Sequence, residues 1–191
     1  MKEGIASSRY ISIRSVGLFT LTWLLFNAKP ASATVFITVD EALKLAFPNC
    51  TIERTTVYLT KEQVTRSEEL AGFELSSVIV HPYVAKRDGK LVGIAYFDAH
   101  MVRTLPETIM IVVDPEDRVQ RIEVLSFNEP QDYIPKGIWY QQFIGQRLDE
   151  ALALKRNIRH IVGATLTARA TTEAVRRVLA IHYTLRDRFI P

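Results

Sequence analysis

The sequence predicts an α+β domain: an antiparallel-rich sheet of two hairpins, with helices packed on it and a helix at the C-terminal end. Three observations carry that prediction. Thr38-Val39-Asp40-Glu41 and Thr60-Lys61-Glu62-Gln63 both have the S/T-x-x-E/Q form of a capping box, the local signature of a helix start. Two pairs of β-rich runs flank turn sequences at Asp88-Gly89 and at Asp114-Pro115-Glu116-Asp117. From Thr167 onward, Thr171, Ala174, Val175, Val178, Leu179, His182 and Leu185 recur at helical spacing.

In chain order, the first capping box precedes Ala42, Leu43, Leu45, Ala46 and Phe47, which make one buried helical face, and Pro48 ends that helix. Glu53 to Leu59 is rich in β-branched and aromatic residues and is predicted as a strand. The second capping box opens a short helix ending near Gly72. Ser77 to Lys86 and Leu91 to Met101 form the first hairpin, because Asp88-Gly89 supplies the positive φ angles of a tight turn. Thr108 to Val113 and Arg118 to Phe127 form the second around a turn with Pro preset for the bend. Glu129 to Gly137, with two Pro and a Gly, is expected as a loop, and Trp139 to Ile144 and Leu148 to Leu154 as short helical turns. No internal repeat, linker or low-complexity tract interrupts residues 34–191, which are expected to form one domain.

Composition narrows the function classes. The chain has 191 residues, 48% of them hydrophobic, and one Cys, which excludes disorder, a multi-span membrane protein and a disulfide scaffold. Its net charge of +3 comes wholly from residues 1–33, where Lys2, Arg9, Arg14 and Lys29 stand against Glu3. The remainder carries 20 charges of each sign, so nucleic-acid binding has no electrostatic basis.

The same 33 residues have the layout of a secretory signal peptide. A basic start precedes an uncharged stretch from Ser15 to Ala28, and Ala31-Ser32-Ala33 offers small residues for cleavage before Thr34. The apolar heart, Val16 to Phe26, is shorter than the roughly 20 residues of a comfortable membrane span. The expected location is therefore exported, periplasmic or attached to the outer face of the cytoplasmic membrane, with an uncleaved N-terminal anchor as the alternative. Cys50 lies too far from the apolar stretch to be lipidated.

Catalytic and metal signatures are absent: no G-x-S-x-G, H-E-x-x-H, Walker or Rossmann motif occurs, and His81, His100, His160 and His182 lack metal-ligand spacing. No catalytic residue or metal ligand is assigned, and the four His are expected to be structural or on the surface. The segment with chemical promise is Gly163-Ala164-Thr165-Leu166-Thr167, before the last helix. Small residues allow a bulky group to approach, hydroxyls bond phosphate, and a helix N-terminus presents free N–H groups with partial positive charge. An N-cap at Thr167 and a loop residue at Gly163 explain the same letters without a ligand.

That segment resembles the flavinylation motif of the FMN-binding domain family, which includes periplasmic flavin subunits of the Rnf and sodium-pumping NADH:quinone oxidoreductase complexes. The resemblance extends to Asp88-Gly89-Lys90-Leu91-Val92-Gly93-Ile94-Ala95-Tyr96-Phe97-Asp98 and to His100-Met101-Val102-Arg103-Thr104-Leu105-Pro106-Glu107-Thr108, covering about 75–182. It implies FMN as cofactor, joined through its phosphate to Thr165 by a separate flavin transferase that uses FAD as donor. It also implies Gly163, Ala164, Thr167, Arg103, Glu107 and Thr108 as further cofactor-binding candidates. For Arg103 and Glu107 an ion pair between the two is the structural alternative, and for Tyr96, Phe97, Trp139 and Tyr140 core packing is the safer assignment than stacking near a flavin. The implied function is an exported electron carrier, rather than an enzyme with a substrate of its own. Redox proteins or a membrane electron-transport complex would be its partners. Two positions depart from the family pattern: Arg159 stands where Asp precedes the modified Thr by six residues, and Val162 where Ser or Thr precedes it by three. Those departures define the alternative, a degenerate member that holds flavin without a covalent bond or serves as an assembly module of a redox complex.

Overall fold

The computed structural model describes residues 34–189. The expected signal peptide lies outside these residues. Element order is β1 (Thr34–Val35), α1 (Val39–Ala46), β2 (Thr51–Arg54), β3 (Val57–Tyr58), α2 (Lys61–Ala71), β4 (Ile79–Val80), β5 (Tyr83–Arg87), β6 (Lys90–Met101), β7 (Pro106–Val113), β8 (Val119–Phe127), α3 (Gly137–Tyr140) and α4 (Thr165–Leu185). Among the described residues the strands make a six-stranded antiparallel sheet, ordered β1-β8-β7-β6-β5-β2, and a two-stranded sheet of β3 and β4.

Both capping boxes form. Thr38 and Thr60 accept hydrogen bonds from the backbone N–H of Glu41 and Gln63, whose side chains reach back to the cap N–H groups. Gly72 closes α2 in the left-handed conformation at φ 77°, where a side chain would be strained. Asp88 and Gly89, at φ 51° and 77°, turn β5 into β6. In the second turn Asp114 Oδ1 accepts from the backbone N–H of both Glu116 and Arg118.

The expected strand over Glu53–Leu59 is two short strands. Thr51–Arg54 pairs with β5, while Val57–Tyr58 pairs with β4 in the smaller sheet. The interruption faces Pro82, which has no N–H to continue a ladder and also splits the predicted 77–86 run into β4 and β5. Leu148–Leu154 is a series of turns rather than helix, with Asp149 Oδ1 accepting from the Leu152 N–H and Lys155 at φ 64°.

The core lies on both faces of the sheet. Ile94, Tyr96, Ile109, Ile111 and Val113 face α4 and its Ala168, Ala174, Val175, Val178 and Leu179, joined by Trp139, Tyr140 and Phe143. Ala95, Met110, Val112 and Leu125 face α1 and its Ala42 and Leu43, with Phe47. Strand pleating sends alternate residues to opposite faces, and Ile109 to Val113 of β7 are completely buried because both faces are covered. Gly93 makes the second layer possible: a Cβ there would lie 2.9 Å from the Val113 carbonyl oxygen and 3.2 Å from the Phe47 ring. No helix among the described residues is long and apolar enough to cross a membrane.

Candidate functional site

α4 starts at Thr165, two residues before the expected point, because Gly163 at φ 89° and Ala164 turn the chain into the helix. Its first intrahelical bond runs from Ala168 N–H to the Ala164 carbonyl, and no side chain caps it. α1 and α2 satisfy this end with capping boxes, whereas the 21-residue α4 leaves it open beside a small pocket. Thr165 is exposed there, its hydroxyl donating to the Ile161 carbonyl at 3.0 Å.

That pocket, about 170 Å³, is lined by Val102, Arg103, Tyr133 and Gly163 to Thr167. The structure thus brings Gly163, Ala164, Thr165, Thr167 and Arg103 together. Arg103, on the connection from β6 to β7, holds its guanidinium 5.3 Å above the Tyr133 ring. Thr167 is not an N-cap; its buried hydroxyl donates to the Tyr133 carbonyl at 2.6 Å and fixes the helix start to the segment after β8.

Ala164 also lines a larger adjoining cleft, about 790 Å³, with Ile134, Ile138, Trp139, Lys136, Arg159 and His160 among its walls. Arg159 has a fixed backbone and an exposed side chain: its carbonyl accepts from Trp139 Nε1 at 2.6 Å and its N–H donates to Gln142 Oε1 at 2.9 Å. Val162 is almost fully exposed at 92%.

Glu107 and Thr108 do not reach this pocket. Thr108 borders a separate cavity of about 250 Å³ with Tyr96, Phe97 and Asp98. Glu107 is completely buried and pairs with His100 rather than Arg103. His100 places Nδ1 2.9 Å from Asp98 Oδ1 and Nε2 3.0 Å from Glu107 Oε2, and the cluster is completed by Arg177 on Asp98 and by the hydroxyls of Tyr140 and Thr171 on Glu107. Burial opposes a proton on His100, but hydrogen bonds to the two carboxylates and their charges outweigh it and push its pKa up to about 9. Sequence reasoning missed this cluster, although His100 and Glu107 stand opposite each other in the β6–β7 register. Tyr96, Trp139 and Tyr140 are core residues, and Trp139 also contributes a wall of the larger cleft.

A further cleft of about 550 Å³ lies against Phe73, Leu154, Arg169, Glu173 and Arg176. Its cations are already engaged: Arg169 with Glu173, and Arg176 with the carbonyls of Ala71, Asp149 and Leu152.

Residues 105–180 match the family model of the FMN-binding domain. That stretch of the chain is similar to the FMN-binding domain. FMN is its cofactor, and the match takes in β7, β8, α3 and most of α4, together with the Gly163–Thr167 segment. A search of curated proteins found no match to the chain. The residues around the start of α4 would fit such a cofactor: an open helix end and a cation suit a phosphate, and the adjoining cleft has the size of small-molecule sites.

Proposed function

We propose that the protein is an exported electron carrier whose FMN is attached through its phosphate to Thr165. The observation that carries this reading is Thr165 itself: an exposed hydroxyl-bearing residue at the uncapped start of α4, lining the same pocket as Arg103 and Gly163, inside the stretch matching the FMN-binding domain. The N–H groups of the first turn and the Arg103 guanidinium would hold the phosphate oxygens. Gly163 keeps the approach open, since a Cβ there would meet nothing within 4 Å and its φ of 89° suits glycine alone. Ile134, Ile138 and Trp139 would give the ring an apolar wall.

Attachment is a group transfer made by a separate flavin transferase. Thr165 Oγ1 bonds to the flavin-side phosphorus of FAD as the anhydride P–O bond breaks, the hydroxyl proton is released, and AMP leaves. Outside the cytoplasm, where free FMN cannot be counted on, a covalent bond keeps the site filled without high equilibrium affinity. Bound FMN supplies reversible electron exchange at its ring, while the protein supplies position and electrostatic surroundings. Redox proteins or a membrane electron-transport complex are the partners this reading implies.

A second reading, FMN held without a covalent bond, is favoured by Arg159. It replaces the family's Asp with an exposed cation, in the cleft that also contains Lys136 and His160. The full chain, co-expressed with a flavin transferase, is expected to purify with flavin that can be reduced and reoxidised repeatedly. Protein that purifies without flavin and takes none up from FMN would refute both readings.

A further inference from the structure

We propose that Glu129, which does not line the phosphate pocket, is the positioning residue that sets Arg103 against it. The proposal rests on the reading of that pocket as the phosphate seat. Arg103 sits on a short connection, residues 102–105, whose own internal bond is Val102 N–H to the Leu105 carbonyl at 3.1 Å. Such a loop would leave a long cationic side chain poorly placed. Glu129 removes that freedom: its Oε1 accepts from the N–H of Thr104 at 2.7 Å, the N–H of Leu105 at 2.9 Å and the hydroxyl of Thr104 at 3.1 Å. The carboxylate is buried, and its bonds to the two backbone N–H groups keep its pKa below the ordinary carboxylate range, so it is charged at neutral pH.

The same carboxylate joins the two walls of the pocket. Glu129 belongs to the segment leading from β8 to Tyr133, and Tyr133 lies beneath the Arg103 guanidinium and holds Thr167 through its carbonyl. Glu129 therefore couples the backbone flanking Arg103 to the platform on which Arg103 rests. Charge-assisted bonds to backbone donors are strong and directional, and Gln in its place would keep the size while losing the charge. Glu129 would act through Arg103, and so on the phosphate alone.

Comparison of FMN with riboflavin, which lacks the phosphate, isolates that effect. The full chain, produced without a flavin transferase, is titrated with each flavin, and its preference for FMN over riboflavin is the readout. Arg103→Met is expected to lower the preference about tenfold, the worth of one charge-assisted contact. Glu129→Gln is expected to lower it several-fold with riboflavin affinity unchanged, and Glu129→Asp by less. The double variant should be no worse than Arg103→Met alone, because the two residues act on one contact. Equal loss of both flavins in Glu129→Gln, or an unchanged preference, would overturn the proposal. If Glu129→Gln does not fold, as judged by thermal melting, Glu129→Asp decides by the same criterion. If Arg103→Met itself leaves the preference unchanged, the phosphate-seat reading fails, and the role of Glu129 with it.

Discussion

His100 Nε2 lies 3.0 Å from Glu107 Oε2, an imidazole against a carboxylate with no solvent exposure at all. Asp98, Arg177, Tyr140 and Thr171 complete the surroundings of the pair, so two carboxylates face two cations when His100 is protonated. The folded pKa of about 9 lies above the 6.5 of a free imidazole, so the His100 contribution is fully present below about pH 6.5 and is lost as pH rises through 9. Thermal melting from pH 6 to 10 should show stability falling through this window, by a few kcal/mol at most. In His100→Gln the fall should be absent, on a lower baseline because two buried carboxylates lose their partner. Identical pH profiles for the two proteins would refute the assignment.

Thr167→Val keeps the shape and β-branching of the side chain and removes the donor to the Tyr133 carbonyl. Leaving that acceptor without its 2.6 Å bond should cost about 1–2 kcal/mol, or a fall of about 2–8 °C in Tm. An unchanged Tm would show that the contact contributes nothing to anchoring α4.

Gly93→Ala should destabilise by about 1–3 kcal/mol in urea unfolding. The Phe47 ring can yield, but the Val113 carbonyl belongs to a central strand and cannot retreat from a Cβ 2.9 Å away. A midpoint equal to that of the wild type would contradict the close packing of α1 on this face.

Arg159→Asp installs the Asp of the motif that the Gly163–Thr167 segment resembles, at a position where the backbone is pinned on both sides and the side chain is exposed. Co-expressed with a flavin transferase, this variant should carry more covalently bound flavin than the wild type, with little change in Tm. Equal loading, measured by intact mass, would show that the position does not govern attachment.

Local chemistry made much of the fold legible. Thr38 with Glu41, Thr60 with Gln63, and Asp88 with Gly89 each act within four residues, and each forms the expected cap or turn. The Gly163–Thr167 segment was readable as a helix start for the same reason, although α4 begins at Thr165 and Thr167 bonds the Tyr133 carbonyl instead of capping the helix. Partnerships across the sheet were not. Glu107 sits four residues from Arg103, which suggested an ion pair, yet the antiparallel register places it opposite His100. That register follows from the hairpin spanning 101–106, and symmetry about its connection was the available signal. The split of Glu53–Leu59 likewise depends on Pro82 of a neighbouring strand, far away in sequence. Glu129 gave no sequence signal, because its importance comes from backbone N–H groups 24 and 25 residues upstream.

The most direct test is attachment at Thr165. The full chain and Thr165→Val are each co-expressed with a flavin transferase, denatured, and examined by in-gel flavin fluorescence and intact mass. A flavin that survives denaturation in the wild type and disappears in Thr165→Val is the predicted result. Flavin released on denaturation of the wild type, or retained covalently by the variant, would contradict attachment through this hydroxyl.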